Sequence, residues 1–98
     1  MSRYVVTRAA WRDLIGIWEW IAEDDIDAAD QVLDDLFAAC DRLAEFPLIG
    51  HGRAELGANV RVWPVHSYLI AYLPETKPLQ IVRFVSGYRD LLALFGGG

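Results

Sequence analysis

Residues 60–85 read VRVWPVHSYLIAYLPETKPLQIVRFV and contain three segments of strand-forming residues. The segments Val60–Val65, Tyr68–Leu73 and Leu79–Val85 are rich in β-branched, aromatic and other apolar side chains. Proline-containing breaks at 64–67 and 74–78 separate them. Because these connections are too short for crossover helices, the pattern predicts an antiparallel sheet.

A short strand and a helix are predicted ahead of this sheet. The strand covers Arg3–Thr7, and Thr7 is placed to cap a helix that runs to about Asp24. Apolar residues recur in this helix at i, i+3, i+7 and i+10, which predicts one buried stripe. The stripe consists of Trp11, Leu14, Trp18 and Ile21.

A second helix is predicted from Asp27, its expected N-cap, to Phe46, because a residue before proline disfavours the α conformation. The short connection to the first helix predicts an antiparallel hairpin. Residues 48–59 contain three glycines and are expected to form a loop, and Arg89–Phe95 a short final helix. The sequence therefore predicts a single α+β domain over residues 1–98, with an N-terminal strand, a helical hairpin, a three-stranded antiparallel sheet and a short C-terminal helix.

Composition narrows the classes of function. The chain has 98 residues, a hydrophobic content of 54%, one cysteine and a net charge of −5. A lone cysteine allows no internal disulfide and fits a reducing cytoplasm, and no apolar segment reaches the roughly 18 residues that span a bilayer. Residues 1–50 carry four arginines against eleven acidic residues, so this half is a poor binder of phosphate backbones.

The predicted sheet is apolar on both faces, and two helices cover a sheet of this width only once. An uncovered apolar face usually marks an interaction site, so we expect a protein partner. The alternative is that the last helical turn and the long loop cover this face by themselves. Trp20 and Trp63 fit the core pattern less well than the other tryptophans and are candidates for a contact surface. The full set of candidate partner contacts is Trp20, Trp63, Tyr68, Ile70, Tyr72 and Phe84.

Arginines in the second half are the candidates for contact with a phosphate or a carboxylate. Arg61 and Arg83 lie in otherwise apolar strands, and Tyr88 and Arg89 follow the last strand. Each arginine has an equally good alternative, which is an ion pair with an acidic residue of the helices or a side chain that extends along apolar surface to solvent. No histidine has a partner at metal-ligand spacing, so neither a metal nor a cofactor is expected, and Cys40 is expected to be buried and inert.

Several short strings lie in a fixed order along nearly the whole chain. They are Tyr4, Thr7, residues 17–23 (IWEWIAE), 28–30 (AAD), 43–47 (LAEFP), Gly50, Arg53, 55–57 (ELG), 60–61 (VR), 64–65 (PV), 68–70 (YLI), 81–83 (IVR) and 87–90 (GYRD). In order and spacing, these strings resemble the ParE-type toxins of the RelE/ParE superfamily from bacterial toxin–antitoxin systems.

This resemblance implies a cytoplasmic toxin that a ParD-like antitoxin neutralises by wrapping it with a C-terminal segment. ParE-like proteins poison DNA gyrase and are not generally nucleases, whereas RelE-like relatives cut messenger RNA on the ribosome. The second activity needs a general base, a general acid and cations. The last strand offers Arg83 but no Glu or His, and Ser86 stands where many ParE-like chains have His, so a gyrase-binding toxin is favoured. A weakly toxic member that serves mainly as an antitoxin partner is the third reading.

Overall fold

The computed structural model describes residues 3–53 and 59–87. The strands are β1 (Tyr4–Val6), β2 (His51–Gly52), β3 (Arg61–Val65), β4 (Tyr68–Leu73) and β5 (Leu79–Val85), and the helices are α1 (Arg8–Ala22) and α2 (Ile26–Glu45). The strands form one sheet in the order β1-β5-β4-β3-β2. The predicted α+β class and the antiparallel arrangement of β3, β4 and β5 are confirmed. The predicted helix over Arg89–Phe95 lies outside the described residues.

Strand β1 joins the sheet through a parallel pairing with β5, in which Val6 aligns with Ile81. A parallel pair needs a long connection, and here both helices and strands β2 to β4 lie between β1 and β5 in the chain. Strand β2 pairs antiparallel with β3 and lies within the segment that the sequence predicted as loop. Strand β2 has two residues, one of them a glycine, and shows no strand pattern in the sequence. It is a strand because it pairs with the edge of β3.

Helix α1 begins as predicted. The Thr7 side chain accepts a hydrogen bond from the Ala10 amide at 3.2 Å and donates one to the Val82 carbonyl at 3.0 Å, so it caps α1 and ties it to β5. Ala10 and Leu14 are buried against the sheet. Trp11, predicted to lie in the core, is 47% exposed. It lies at the margin of the apolar stripe, and the centroid of its ring is 6.0 Å from the centroid of the Phe37 ring.

Helix α2 begins earlier than predicted. Its N-cap is Asp25, whose side chain accepts a hydrogen bond from the Ala28 amide at 3.1 Å, and Asp27 lies in the first turn. Both aspartates suit a helix N-terminus. The extended backbone of Asp25, with φ of −158°, decides between them.

The core lies between the helical hairpin and one face of the sheet. It contains Leu14 of α1, Leu36, Cys40 and Leu43 of α2, and Ile70, Tyr72, Ile81 and Phe84 of the sheet. A second cluster on other strand positions contains Val62, Ala71 and Val85, and these side chains are also buried within the chain itself. The prediction of a bare apolar sheet face is therefore wrong for these positions, so the case for a partner depends on other surfaces.

Candidate functional site

A groove of about 680 Å³ runs between α1 and the end of β5. We call it the α1–β5 groove. One wall is a face of α1, and the other is formed by the last residues of β5 together with Tyr68. Its lining consists of Arg12, Asp13, Gly16, Ile17, Trp20, Tyr68, Arg83, Phe84, Val85 and Ser86.

The groove exists because β5 extends beyond its neighbour β1. Strand β1 pairs with β5 only as far as Ile81, so the later residues of β5 have no strand beside them on that side. Side chains of the α1 region take the place of a strand. Thr7 donates to the Val82 carbonyl, and Asp13 Oδ2 accepts the Phe84 amide at 3.0 Å. These bonds satisfy backbone groups that would otherwise be free to pair with an added strand.

An ion pair forms part of the wall of the groove. Arg83 donates from Nε to Asp13 Oδ2 at 2.7 Å and from a terminal nitrogen to Asp13 Oδ1 at 2.9 Å. The two side chains are 28% and 15% exposed, so the pair is only partly screened by water. Hydrogen bonding to Asp13 raises the pKa of Arg83 above its already high usual value. The Arg83 guanidinium is thus permanently charged and held in a two-point geometry.

Arg61 is bound elsewhere. It donates to the Gly50 carbonyl at 2.7 Å and to the Leu48 carbonyl at 3.3 Å, on the side of the sheet that carries β2. Strand β4 separates it from Arg83, so the two guanidinium groups do not form the common cationic patch that the sequence suggested. Their roles as contacts to a target stay predictions. Tyr88 and Arg89, the other two candidates, lie outside the described residues.

The predicted partner contacts separate into two groups. Trp20 is 72% exposed and lines the α1–β5 groove, which suits a contact residue. Trp63 is half-buried and packs against the core. Ile70 and Tyr72 are fully buried between the sheet and the helices, so they are not accessible to a partner in this structure. Tyr68 and Phe84 are also core residues, and both line the wall of the groove.

Asp13 is the residue of this candidate site that sequence reasoning did not single out. It lies three residues after Ala10 and four before Ile17, next to the buried stripe of α1. An acid at the margin of an apolar stripe, together with an arginine in an apolar strand, is the signal that would have paired it with Arg83.

Among residues 3–53 and 59–87, Cys40 and the two histidines lie outside the lining of the α1–β5 groove. No group of three or more His, Cys, Asp or Glu in these ranges could hold a metal ion. Cys40 is buried as predicted, and burial raises the pKa of its thiol to about 12, which keeps it protonated and unreactive. The His66 ring bonds through Nε2 to Asp35 Oδ2 at 2.6 Å at the surface, where it links the β3–β4 turn to α2.

With this geometry in place, comparison with known proteins identifies the class. The sequence model of the family described as "ParE toxin of type II toxin-antitoxin system, parDE" matches residues 4–91. The chain therefore belongs to the ParE toxin family.

Individual relatives agree with this assignment. The chain is similar to Toxin ParE3 of Caulobacter vibrioides, with 26% identity over 97 residues that cover 98% of this chain and 97% of that protein. Among solved structures, it resembles a chain from the chromosomal ParDE toxin–antitoxin system of P. aeruginosa. The TM-score is 0.72 at 20% identity, over 89% of this chain and 100% of that chain. The structural likeness supports the fold. The helices that the structure describes include none long and apolar enough to cross a membrane.

Proposed function

We propose that this protein is the toxin of a bacterial type II toxin–antitoxin pair, that a ParD-like antitoxin neutralises it, and that it acts in the cytoplasm by binding and poisoning DNA gyrase. The family match over residues 4–91 is the observation that carries the proposal. The match to the Caulobacter toxin over nearly the full length of both chains adds support.

The state of Asp13 and Arg83 favours binding over catalysis. RNA cleavage requires a free base for the 2′-hydroxyl, an acid for the leaving oxygen and a cation for the developing charge. Asp13 is the carboxylate in the described lining of the groove, and both of its oxygens already accept hydrogen bonds from Arg83 or Phe84. Asp13 is therefore a poor general base, because both of its oxygens already accept hydrogen bonds. The Arg83 guanidinium cannot act as a base, because it stays protonated.

Trp20 is the groove residue best suited to a protein contact. Large aromatic side chains dominate the energetics of protein interfaces, and the indole of Trp20 stands largely free of the rest of the chain. We infer that the antitoxin packs on Trp20 and thereby covers the α1–β5 groove, including Arg83. Neutralisation would then follow from occlusion of the surface that meets the target.

The gyrase assignment is tested by a plasmid supercoiling assay with purified gyrase, scored for loss of supercoiling and for trapped cleaved DNA. We expect inhibition that the antitoxin reverses. No effect at high molar excess of the toxin would exclude gyrase as the target. Cleavage of messenger RNA on ribosomes in a parallel reaction would instead assign the ribonuclease activity.

The contact residues are tested by growth arrest in cells. Trp20→Ala should retain toxicity but be neutralised poorly, while Phe46→Ala, which truncates an exposed aromatic residue away from the groove, should behave as the wild type. Unchanged neutralisation of Trp20→Ala would remove Trp20 from the interface. Arg83→Ala combined with Arg89→Ala should reduce toxicity, and full toxicity of a folded double variant would rule out an arginine contact to the target.

A further inference from the structure

Gly16 stands in the middle of α1, at a position where the fold itself does not need a glycine. It is exposed, and a Cβ added to it would meet no atom of residues 3–53 and 59–87 within 4 Å. Its backbone is helical, and a glycine inside a helix is less stable than an alanine would be. A bare stretch of helix backbone does allow another chain to approach closely.

Two arginines line the α1–β5 groove together with Gly16. Arg12 is exposed and lies one helical turn before Gly16, and its guanidinium forms no ion pair with any residue in the described ranges 3–53 and 59–87. Arg83 is held by Asp13, which is three residues before Gly16 and therefore its neighbour on the surface of α1. The groove thus presents two guanidinium groups beside a stretch of helix without a side chain.

The ion pair with Asp13 leaves Arg83 able to bind a second carboxylate. A guanidinium has five N–H donors, and Asp13 accepts one from Nε and one from a terminal nitrogen, which leaves three. None of these three donates to another residue within ranges 3–53 and 59–87. A carboxylate binds a guanidinium through two parallel hydrogen bonds, so the free side of Arg83 has room for one more. Asp13 is a positioning residue, because it fixes the direction of the remaining donors.

The charges around the groove decide which anion fits it. The lining contains two arginines and one aspartate, a local charge of +1. The surrounding helical hairpin, residues 8–45, contains eleven acidic residues against three arginines. A DNA duplex carries a charge about every 1.7 Å, so it would extend from the two arginines onto this acidic surface and be repelled. A protein segment with one or two carboxylates places its charge on the arginines alone.

We propose that the α1–β5 groove binds an extended acidic segment of the target protein. One carboxylate of this segment pairs with Arg12 and with the free side of the Arg83 guanidinium, and the backbone of the segment lies against Gly16. Arg12 and Gly16 are about 6 Å apart along α1, so the acidic residue and the residue that contacts Gly16 are about two positions apart in the segment. The identity of the partner rests on the proposed function, and the chemistry of its segment rests on the groove.

The test measures binding of the full chain to purified DNA gyrase in the absence of DNA, by calorimetric titration, with supercoiling inhibition in parallel. Gly16→Ala should lower the affinity by about tenfold, because the methyl group occupies the space that the backbone of the segment needs. Gly16→Gln should lower it further. Gly16→Ala should also raise the melting temperature of the free chain by about 4–8 °C, since alanine is the better helix former and meets open space. A more stable chain that binds less well has lost a contact, not its fold.

Matched variants separate the groove from general effects of size and charge. Gly52→Ala adds the same methyl group in open space outside the groove and should leave the affinity unchanged. Arg12→Gln should lower the affinity by about twofold to fivefold at low salt, and this difference should shrink as salt screens the pair. Arg8→Gln removes the same charge from the same helix outside the groove lining and should change the affinity much less.

Two results would overturn the proposal directly: equal affinities of Gly16→Gln and the wild type, or equal affinities of Arg12→Gln and Arg8→Gln. Binding that requires DNA and that Arg12→Gln weakens would assign the groove to phosphate groups instead. Gyrase inhibition that persists in Gly16→Gln while neutralisation by the antitoxin is lost would assign the groove to the antitoxin.

Growth arrest in cells distinguishes failure of this inference from failure of the proposed function. A wild-type chain that arrests growth without binding gyrase would reject the gyrase assignment alone. The groove is then supported if Gly16→Gln loses the arrest while Gly52→Ala keeps it, and rejected if both keep it. A wild-type chain that neither binds gyrase nor arrests growth would reject both.

Discussion

Arg61 and Arg83 lie in neighbouring parts of the same sheet, and both are bound by other segments of the chain, but their partners differ in charge. Arg83 binds the carboxylate of Asp13, whereas Arg61 binds the carbonyl groups of Leu48 and Gly50. The first contact fixes α1 to β5 and shapes the α1–β5 groove. The second fixes the loop that enters β2.

This difference predicts unequal dependence on the two arginines. Loss of Asp13 leaves a partly buried guanidinium without its counter-charge and the Phe84 amide without its acceptor. Loss of Arg61 leaves the exposed Leu48 carbonyl and the partly buried Gly50 carbonyl without this donor, but it leaves no charge unpaired. At the Arg61 end, Tyr72 supplies further neutral bonds, since its hydroxyl donates to the Pro47 carbonyl at 2.6 Å and accepts the Gly50 amide at 2.9 Å. Arg83 is thus held by an ion pair, whereas the segment that binds Arg61 is held by a network of neutral hydrogen bonds.

The largest effect is expected for Asp13→Ala, which should lower the free energy of unfolding by about 3 kcal/mol, because it strands both Arg83 and the Phe84 amide. Urea titration measures it. Asp13→Asn keeps an acceptor and should cost about half as much. A cost below about 1 kcal/mol for Asp13→Ala would mean that water replaces the carboxylate. It would contradict the difference proposed between Arg83 and Arg61.

Tyr72→Phe should rank second, with a loss of about 2 kcal/mol, because the buried Gly50 amide loses its acceptor while the ring stays in the core. The same titration measures it. Tyr4→Phe, which removes the hydroxyl of a half-buried tyrosine near the other edge of the sheet, is the control. Equal costs for the two variants would show that the neutral network contributes nothing specific.

Gly50→Ala tests the same network by sterics. A Cβ at this position would overlap the Tyr72 hydroxyl and ring, so we expect a loss of about 1–3 kcal/mol from overpacking. Gly52→Ala, where nothing lies within 4 Å of an added Cβ, is the matched control and should cost much less. If Gly50→Ala with Tyr72→Phe recovered no stability relative to Gly50→Ala, the hydroxyl would not be the atom in conflict.

Arg61→Ala should cost about 1 kcal/mol, the value of a typical hydrogen bond whose acceptors can be hydrated. Denaturant titration gives the value, and hydrogen exchange should show faster opening at Gly50 and Gly52. Arg61→Lys keeps the charge and one donor and serves as the control. A cost equal to that of Asp13→Ala would abolish the contrast between the two arginines.

The smallest effect is expected at the surface pair of His66 and Asp35. Hydrogen bonds from His66 and then from Gln31 lower the pKa of Asp35 below its usual 3.8. An acid whose pKa is lower in the folded state stabilises that state once it is ionised, so this contribution is present above pH of about 4 and is lost as the pH falls through the folded-state pKa. The wild type should therefore melt slightly higher than Asp35→Asn near pH 6, with the difference vanishing at the acid end. A difference that grows on acidification would contradict this sign.

Much of the fold follows from sequence patterns that need no distant partner. The limits of β4 and β5 came from runs of strand-forming residues between turns, and Thr7 was recognisable as a cap because apolar periodicity starts directly after it. Where the pattern offered equivalent choices, it failed. Asp25 and Asp27 are both good caps, and only the backbone of Asp25 distinguishes them.

The sites were less accessible to sequence reasoning. The exposure of Trp20 was predicted from its place off the helical stripe, but that of Trp11 was not, because Trp11 belongs to the stripe by spacing and lies at its margin in the structure. Arg83 was identified as a candidate, whereas its partner Asp13 is 70 residues away in the chain. The pattern marks an acid beside an apolar stripe and an arginine in an apolar strand, but sequence spacing does not say which acid meets which arginine.

The sequence by itself determined the α+β class, the helical hairpin, the antiparallel strands, the buried thiol of Cys40 and the resemblance to ParE toxins, because each depends on local periodicity, composition or short strings. Tertiary structure decided the rest: the parallel place of β1 beside β5, the short strand β2, the partners of Arg61 and Arg83, and the α1–β5 groove. These features depend on which distant side chains meet when the hairpin packs on the sheet, and that is fixed by three-dimensional packing rather than by any one segment.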